Sequence, residues 1–216
     1  MVDGMTPCGE RRTNTPFTRP PYRRPVPIDP HSLADQIRQD AADGTFTHWG
    51  RSTLLDENTG TPMLDATTLA LLQQWAGLPV EHPVTNAGLA HVYGYLLSTA
   101  ETPYGRKRDR WLDGSLATAL GLPPDHFLPW HRPDARTLAQ RVTDAVLPVL
   151  AAPPADALLV REDSGTGLRT VVTARGALVY GWAGRAVTAF PVGTDAGRIA
   201  ELRGMPDGAR YNAVCE

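Results

Sequence analysis

Residues 156–192 decide the fold, and they read DALLVREDSGTGLRTVVTARGALVYGWAGRAVTAFPV. This stretch contains short runs rich in β-branched and aromatic residues, separated by turn residues such as Ser-Gly-Thr-Gly, Arg-Gly and Ala-Gly-Arg. Runs of this kind with tight turns between them are typical of antiparallel strands joined as a meander. We therefore predict an antiparallel sheet of three to five strands in the C-terminal part of the chain.

Upstream of Pro153 the apolar residues recur at helical spacing instead, with capping residues before each run and glycine or proline after it. The pattern predicts helices near residues 33–44, 65–77, 85–100, 106–120 and 134–151, a short helix at 194–204 and an edge strand at 209–215. Helices followed by strands indicate an α+β fold. We expect one domain over residues 31–216, in which a helical part (31–152) packs on a β part (153–216).

Residues 1–30 contain seven prolines and five arginines and almost no aliphatic side chains. Such a segment buries too little apolar surface to offset its ordering entropy, so we expect a flexible arm. It is either a solvated tail or a basic arm that docks on an acidic partner.

The composition is that of an ordinary soluble globular protein, with 216 residues, a hydrophobic fraction of 42% and a net charge of -2. The sequence has neither an apolar run of membrane-spanning length nor a signal-peptide core, which predicts a cytoplasmic protein. Lys107 is the only lysine among 21 basic residues. An arginine bias of this kind is typical of a GC-rich genome, so rarity alone assigns Lys107 no role.

The richest chemistry lies in residues 91–111, HVYGYLLSTAETPYGRKRDRW. Residues His91, Tyr95 and Ser98 have the i, i+4, i+7 spacing that places them on one helical face. A histidine beside a tyrosine hydroxyl can transfer a proton near neutral pH.

Tyr104–Trp111 contains four cationic side chains and one carboxylate. The segment lies at the start of a predicted helix, where positive charge is unfavourable. An anionic substrate group held by Arg106 and Lys107 would compensate for that charge, and pairing with nearby acidic residues is the alternative. Trp111 is either a stacking surface for a planar ligand or a core residue.

A second histidine, His48, stands near Arg51 in a predicted loop, where binding groups concentrate. The predicted catalytic residues are His91, His48, Tyr95 and Tyr104, and the predicted substrate-binding residues are Arg106, Lys107, Arg110, Arg51 and Trp111. We predict no metal and no cofactor, because the six histidines and two cysteines lack ligand spacing and the glycine-rich nucleotide motifs are missing.

Residues 168–192, LRTVVTARGALVYGWAGRAVTAFPV, resemble the sheet of the barnase, EndoU, colicin and RelE-like ribonucleases, in which helices precede an antiparallel sheet. The resemblance implies phosphate contacts by Arg169 and Thr188 and a general base at an upstream histidine. A net charge of -2 does not favour a nucleic-acid partner.

Three functions follow from the sequence. The first is a small-molecule enzyme (a lyase, isomerase or hydrolase) that applies metal-free acid–base chemistry to a carboxylate- or phosphate-bearing metabolite. The second is a ribonuclease of the type named above. The third is a non-catalytic binding or regulatory protein that docks an acidic partner. The oligomeric state stays open.

Overall fold

The computed structural model describes residues 28–56, 60–79, 84–102, 105–130 and 134–205. These residues form an α+β fold, which confirms the predicted class: most helices precede a four-stranded antiparallel sheet. The α-helices are α1 (Ala34–Ala42), α2 (Ala66–Ala76), α3 (Tyr95–Leu97), α4 (Asp109–Leu112), α5 (Ser115–Ala119), α6 (Leu138–Ala151) and α7 (Ala196–Gly204). The strands are β1 (Arg51–Thr53), β2 (Val84–Asn86), β3 (Leu159–Glu162), β4 (Arg169–Val172), β5 (Ala177–Trp182) and β6 (Arg185–Pro191). Pro30–Leu33 and Thr45–His48 are 3-10 turns, and Leu89–Gly94 is a π-helical segment.

The sheet is the meander that the turn residues predict. Its order is β3-β4-β5-β6, and each neighbouring pair is antiparallel. Helix α6 packs on one face, where Val146 and Leu150 join Val179 of β5 in the main core. Helix α7 covers the other face through Ile199 and Leu202. The sheet is therefore buried between two helical layers, as an amphipathic sheet requires.

A small two-stranded sheet of β1 and β2 joins the helical part to the edge of the main sheet. Strands β1 and β2, which are separated in the chain by α2, pair antiparallel, and the Gly50 amide donates to the carbonyl of Ala186 in β6 at 2.7 Å. Sequence periodicity does not predict this small sheet, because strands of three residues are too short to show an alternating pattern.

Two predicted helices differ from the observed elements. The helix expected over residues 85–100 is capped by Asn86, which accepts from the amides of Gly88 and Leu89, but it contains the π-helical segment and ends at Leu97. The helix expected over residues 106–120 is split into α4 and α5 at Gly114, whose φ of 76° is left-handed. A side chain is excluded there as well, because a Cβ atom would lie 2.5 Å from the carbonyl oxygen of Pro124.

Helix α6 begins four residues later than Asp134 and has a strong start signal. The Thr137 hydroxyl accepts from the Gln140 amide, and the Gln140 side chain accepts from the Thr137 amide, which forms a capping box. On the buried side, the Trp49 indole donates to the Thr143 hydroxyl at 2.9 Å and ties the helix to the segment before β1.

The predicted arm (apart from residues 28–30) and the predicted edge strand at 209–215 lie outside the described residues. Within the described ranges, no helix combines the length and the apolarity needed to cross a membrane.

Candidate functional site

Five polar residues from the helical part converge below the surface, and we call them the lysine cluster. They come from the loop after β1, the helical segment that follows β2, the turn before α4, and α4 itself. The members are Asp56, His91, Tyr95, Lys107 and Arg110. Four of them were predicted site residues, and Asp56 was not.

An ion pair lies at the centre of the cluster. The Lys107 ammonium is 3.0 Å from an Asp56 carboxylate oxygen, and the two side chains keep only 8% and 1% of their surface exposed. The same ammonium lies 3.4 Å from the Tyr95 hydroxyl oxygen and 4.7 Å from the centroid of the Tyr95 ring. One nitrogen therefore contacts a carboxylate, a hydroxyl and the face of an aromatic ring.

The π-helical segment sets the positions of His91 and Tyr95. The Tyr95 amide donates to the carbonyl of Ala90, five residues back, which widens the turn by one residue. Gly94 permits close packing in this turn, since a Cβ atom there would lie 2.8 Å from Leu64 Cδ1. The two rings stack with centroids 4.7 Å apart and planes inclined by 19°. Helical turns of this type occur frequently at functional sites.

Burial makes the two rings of the stack electrically neutral. Desolvation, with a further contribution from the Lys107 charge, lowers the pKa of His91 to about 3. Desolvation raises the pKa of Tyr95, although the nearby Lys107 charge opposes the shift. Near neutral pH His91 is therefore an uncharged imidazole and Tyr95 an uncharged phenol. Because the Tyr95 oxygen accepts from Lys107, its own proton is available to another acceptor.

Arg110 is the member of the lysine cluster that lies beside the sheet. Burial lowers the pKa of this guanidinium, while the nearby carboxylates of Asp56 and Asp113 and the phenol of Tyr95 oppose the shift. The guanidinium carbon also lies 5.7 Å from the ring centroid of Phe190 in β6. Arg110 is thus a cation at the junction of the helical part and the sheet.

Other predicted cations have partners within the protein. Arg106 pairs with Glu101 at 2.7 Å on the surface, just as Lys107 pairs with Asp56 inside. Helix α4 begins at Asp109 and has only four residues, so the predicted helix entrance at Arg106 does not form. The protein's own carboxylates therefore balance both cations without a bound anion.

The remaining predicted site residues lie elsewhere. Trp111 is buried in the core with its ring against Phe127, at a centroid distance of 5.8 Å. His48 is exposed at the end of its 3-10 turn, and Arg51 is exposed in β1. Neither is a member of the lysine cluster. Tyr104 lies outside the described residues.

The two residues that the ribonuclease resemblance singled out lie in the sheet. Arg169 of β4 pairs with Glu162 at 2.6 Å and donates to the carbonyl of Leu150 near the end of α6. Thr188 of β6 stands opposite Tyr180 of β5. The contacts of Arg169 hold α6 on the sheet, which gives this residue a structural role without a phosphate.

A second buried polar group holds α1 to α6. The Asp40 carboxyl group accepts hydrogen bonds from the hydroxyls of Tyr93 and Thr137. Burial raises the pKa of Asp40, although these hydrogen bonds act against the shift. No sequence pattern points to these two contacts, because Tyr93 and Thr137 lie 53 and 97 positions from Asp40.

No model of a protein family, no curated protein and no solved structure matches this chain. In the part of the chain that the structure describes, no three histidine, cysteine or acidic side chains are grouped so that they could hold a metal ion.

Proposed function

We propose that this protein is a small-molecule enzyme that applies metal-free acid–base chemistry to a carboxylate- or phosphate-bearing metabolite, with the lysine cluster as its reaction centre. The observation that supports the proposal is the burial of the Lys107–Asp56 ion pair against Tyr95. A buried ion pair contributes little net stability, because desolvating both charges offsets their attraction. Buried ionisable groups with perturbed pKa values, by contrast, are concentrated at active sites.

Each ring of the stack has a role that follows from its charge. Tyr95 donates its hydroxyl proton to a substrate oxygen, since its own oxygen accepts from Lys107. His91, with a pKa of about 3, is a weak proton acceptor in the empty site. An anion bound nearby would raise the pKa of His91 and allow it to take up a proton after the substrate binds. Asp56 is the carboxylate that can receive a proton from Lys107.

Arg110 is the proposed contact for the anionic group. Arg110 is partly buried, where a charge-assisted bond to a carboxylate or phosphate is stronger than in open water. Arg106 already has Glu101 as a surface partner. We therefore assign the binding of the anionic group to Arg110 and not to Arg106.

A thermal-shift titration with phosphate, malonate, pyruvate and phosphoglycolate tests the binding step. At a concentration of 100 Kd, a ligand adds about 2.7 kcal/mol to the stability. For a chain of this size, that raises Tm by roughly 5–11 °C. We expect Arg110→Gln to abolish the shift. The control is Arg136→Gln, which removes an exposed arginine paired with Asp134 and Asp144; it should bind as the unchanged protein does.

Turnover is measured by proton NMR in D2O, as exchange of the pyruvate methyl hydrogens, which are next to its ketone, and of the malonate methylene hydrogens, which are next to its carboxylates. We expect exchange that Tyr95→Phe and Arg110→Gln both slow. Binding of none of the four anions, or equal shifts in both arginine variants, contradicts the proposal. Binding without any turnover would favour the non-catalytic alternative, and cleavage of added RNA that depends on Arg110 would favour the ribonuclease.

A further inference from the structure

Lys107 is the only lysine in the chain, and the lysine cluster places its amine beside a carboxylate and a phenol. We propose that Lys107 is a nucleophile that forms a Schiff base with an aldehyde or ketone group of the anionic substrate. The inference rests on the proposed function, since it assigns the substrate class for the same site.

The amine of Lys107 has a chemical property that an arginine at this position would lack. Burial alone does not require lysine, because Arg141 is 1% exposed and donates to the carbonyls of Leu128 and Arg136. Unlike a guanidinium, an amine can lose a proton and become a nucleophile.

The geometry supplies the groups that such a nucleophile needs. Asp56 lies 3.0 Å from the Lys107 nitrogen and can accept one of its protons, which leaves the nitrogen with a free lone pair. The Tyr95 oxygen lies 3.4 Å from the same nitrogen, within reach of the oxygen of a carbonyl group bound there. Lys107 is also the more exposed partner of the ion pair, with 8% of its side chain accessible against 1% for Asp56.

The reaction balances without a further reagent. The ammonium of Lys107 gives one proton to Asp56, and its nitrogen attacks the carbonyl carbon while the carbonyl oxygen takes the Tyr95 proton. A carbon–nitrogen bond forms, and one of the two protons then on the nitrogen passes to Tyr95, which restores its hydroxyl group. The proton held by Asp56 then moves to the carbinolamine hydroxyl, which departs as water. One carbonyl compound and one ammonium become one iminium ion and one water, with the positive charge conserved.

Reductive trapping on the full-length protein tests the inference. The protein is treated with pyruvate, glyoxylate or glycolaldehyde phosphate together with cyanoborohydride, digested, and analysed by peptide mass spectrometry. The peptide that contains Lys107 should gain the mass of the probe less one oxygen atom. Because the adduct is located on the unchanged protein, the test does not require Lys107 variants to fold.

A matched lysine in the same chain measures unassisted labelling. Arg38→Lys introduces an exposed amine on α1, where Arg38 now pairs with Asp35 at the surface. Labelling of Lys107 should be more than about tenfold faster than labelling of that introduced amine, since a positioned acid and base contribute about 10²-fold or more. Asp56→Asn and Tyr95→Phe should each slow the reaction at Lys107.

The outcomes separate this inference from the proposed function. If Lys107 stays unlabelled by all three probes while the amine introduced by Arg38→Lys reacts, Lys107 is not a nucleophile. Anion binding through Arg110 is then decided separately by the thermal-shift titration. If Lys107 reacts equally well with uncharged glycolaldehyde and in Arg110→Gln, the nucleophile is supported and the anion-binding part of the proposed function is refuted.

Discussion

Removing one partner of the Lys107–Asp56 pair should cost far more stability than removing both. In Lys107→Met the Asp56 carboxylate, with 1% of its side chain exposed, has lost the ammonium 3.0 Å away. Breaking a buried ion pair by removing one partner costs about 3–5 kcal/mol. At about 2–4 °C per kcal/mol for a chain of this length, Tm should fall by roughly 6–20 °C. The double variant Asp56→Asn/Lys107→Met removes both charges of the pair, so its stability should lie within about 1 kcal/mol of the unchanged protein.

Urea denaturation of the four proteins of this cycle gives the coupling between the two residues. The exposed pair of Asp35 and Arg38 provides the matched control, because an ion pair in water is screened and its loss should change stability little. Two results would contradict a coupled, buried ion pair. One is a loss of stability in Lys107→Met no larger than that in Arg38→Met, and the other is a double variant that loses as much stability as the two single variants added together.

Three further predictions concern the rest of the fold. Because burial raises the pKa of Asp40 above 3.8, its contribution to stability is complete below pH 3.8 and is lost as the pH rises through the higher folded value. Urea titrations at several pH values should therefore show Asp40→Asn gaining stability relative to the unchanged protein as the pH rises. Thr137→Ala loses the cap of α6 and should cost about 1–2 kcal/mol in the same assay, whereas Thr137→Ser should restore most of it. Gly114→Ala should lower Tm more than Gly60→Ala does, because both glycines have positive φ but only the first would push a Cβ atom against the Pro124 carbonyl.

Local signals in the sequence predict the elements that depend on local interactions. Helix α2 begins at its expected cap, where the Asp65 carboxylate accepts from the Thr68 amide at 2.8 Å, and it ends at Gly77 with a left-handed φ of 64°. The four strands likewise follow their turn residues. The single helix predicted over residues 106–120 misses the split at Gly114, where a left-handed φ of 76° ends α4 much as Gly77 ends α2. The close approach of the Pro124 carbonyl, which excludes a side chain at Gly114, is a tertiary contact that sequence spacing does not show.

The candidate site likewise combines contacts that local spacing predicts with contacts that it does not. The spacing of His91 and Tyr95 predicts that they share a helical face, and their rings do stack. Asp56, however, lies in a loop without periodicity, and its contact with Lys107 joins residues far apart in the sequence. Glu101 and Asp56, which lie outside the basic segment, pair with Arg106 and Lys107. These pairs depend on how the chain folds, and the spacing within residues 104–111 does not predict them.

The most direct measurement is the ¹⁵N NMR signal of the lysine side chain in protein labelled only at lysine, because one lysine gives one resonance. We predict that this resonance shifts to saturation when pyruvate or phosphoglycolate is titrated in, and that the shift disappears in Arg110→Gln but persists in Arg136→Gln. A Lys107 resonance that stays unchanged at saturating concentrations of all the anions tested would contradict the assignment of the lysine cluster as a substrate site.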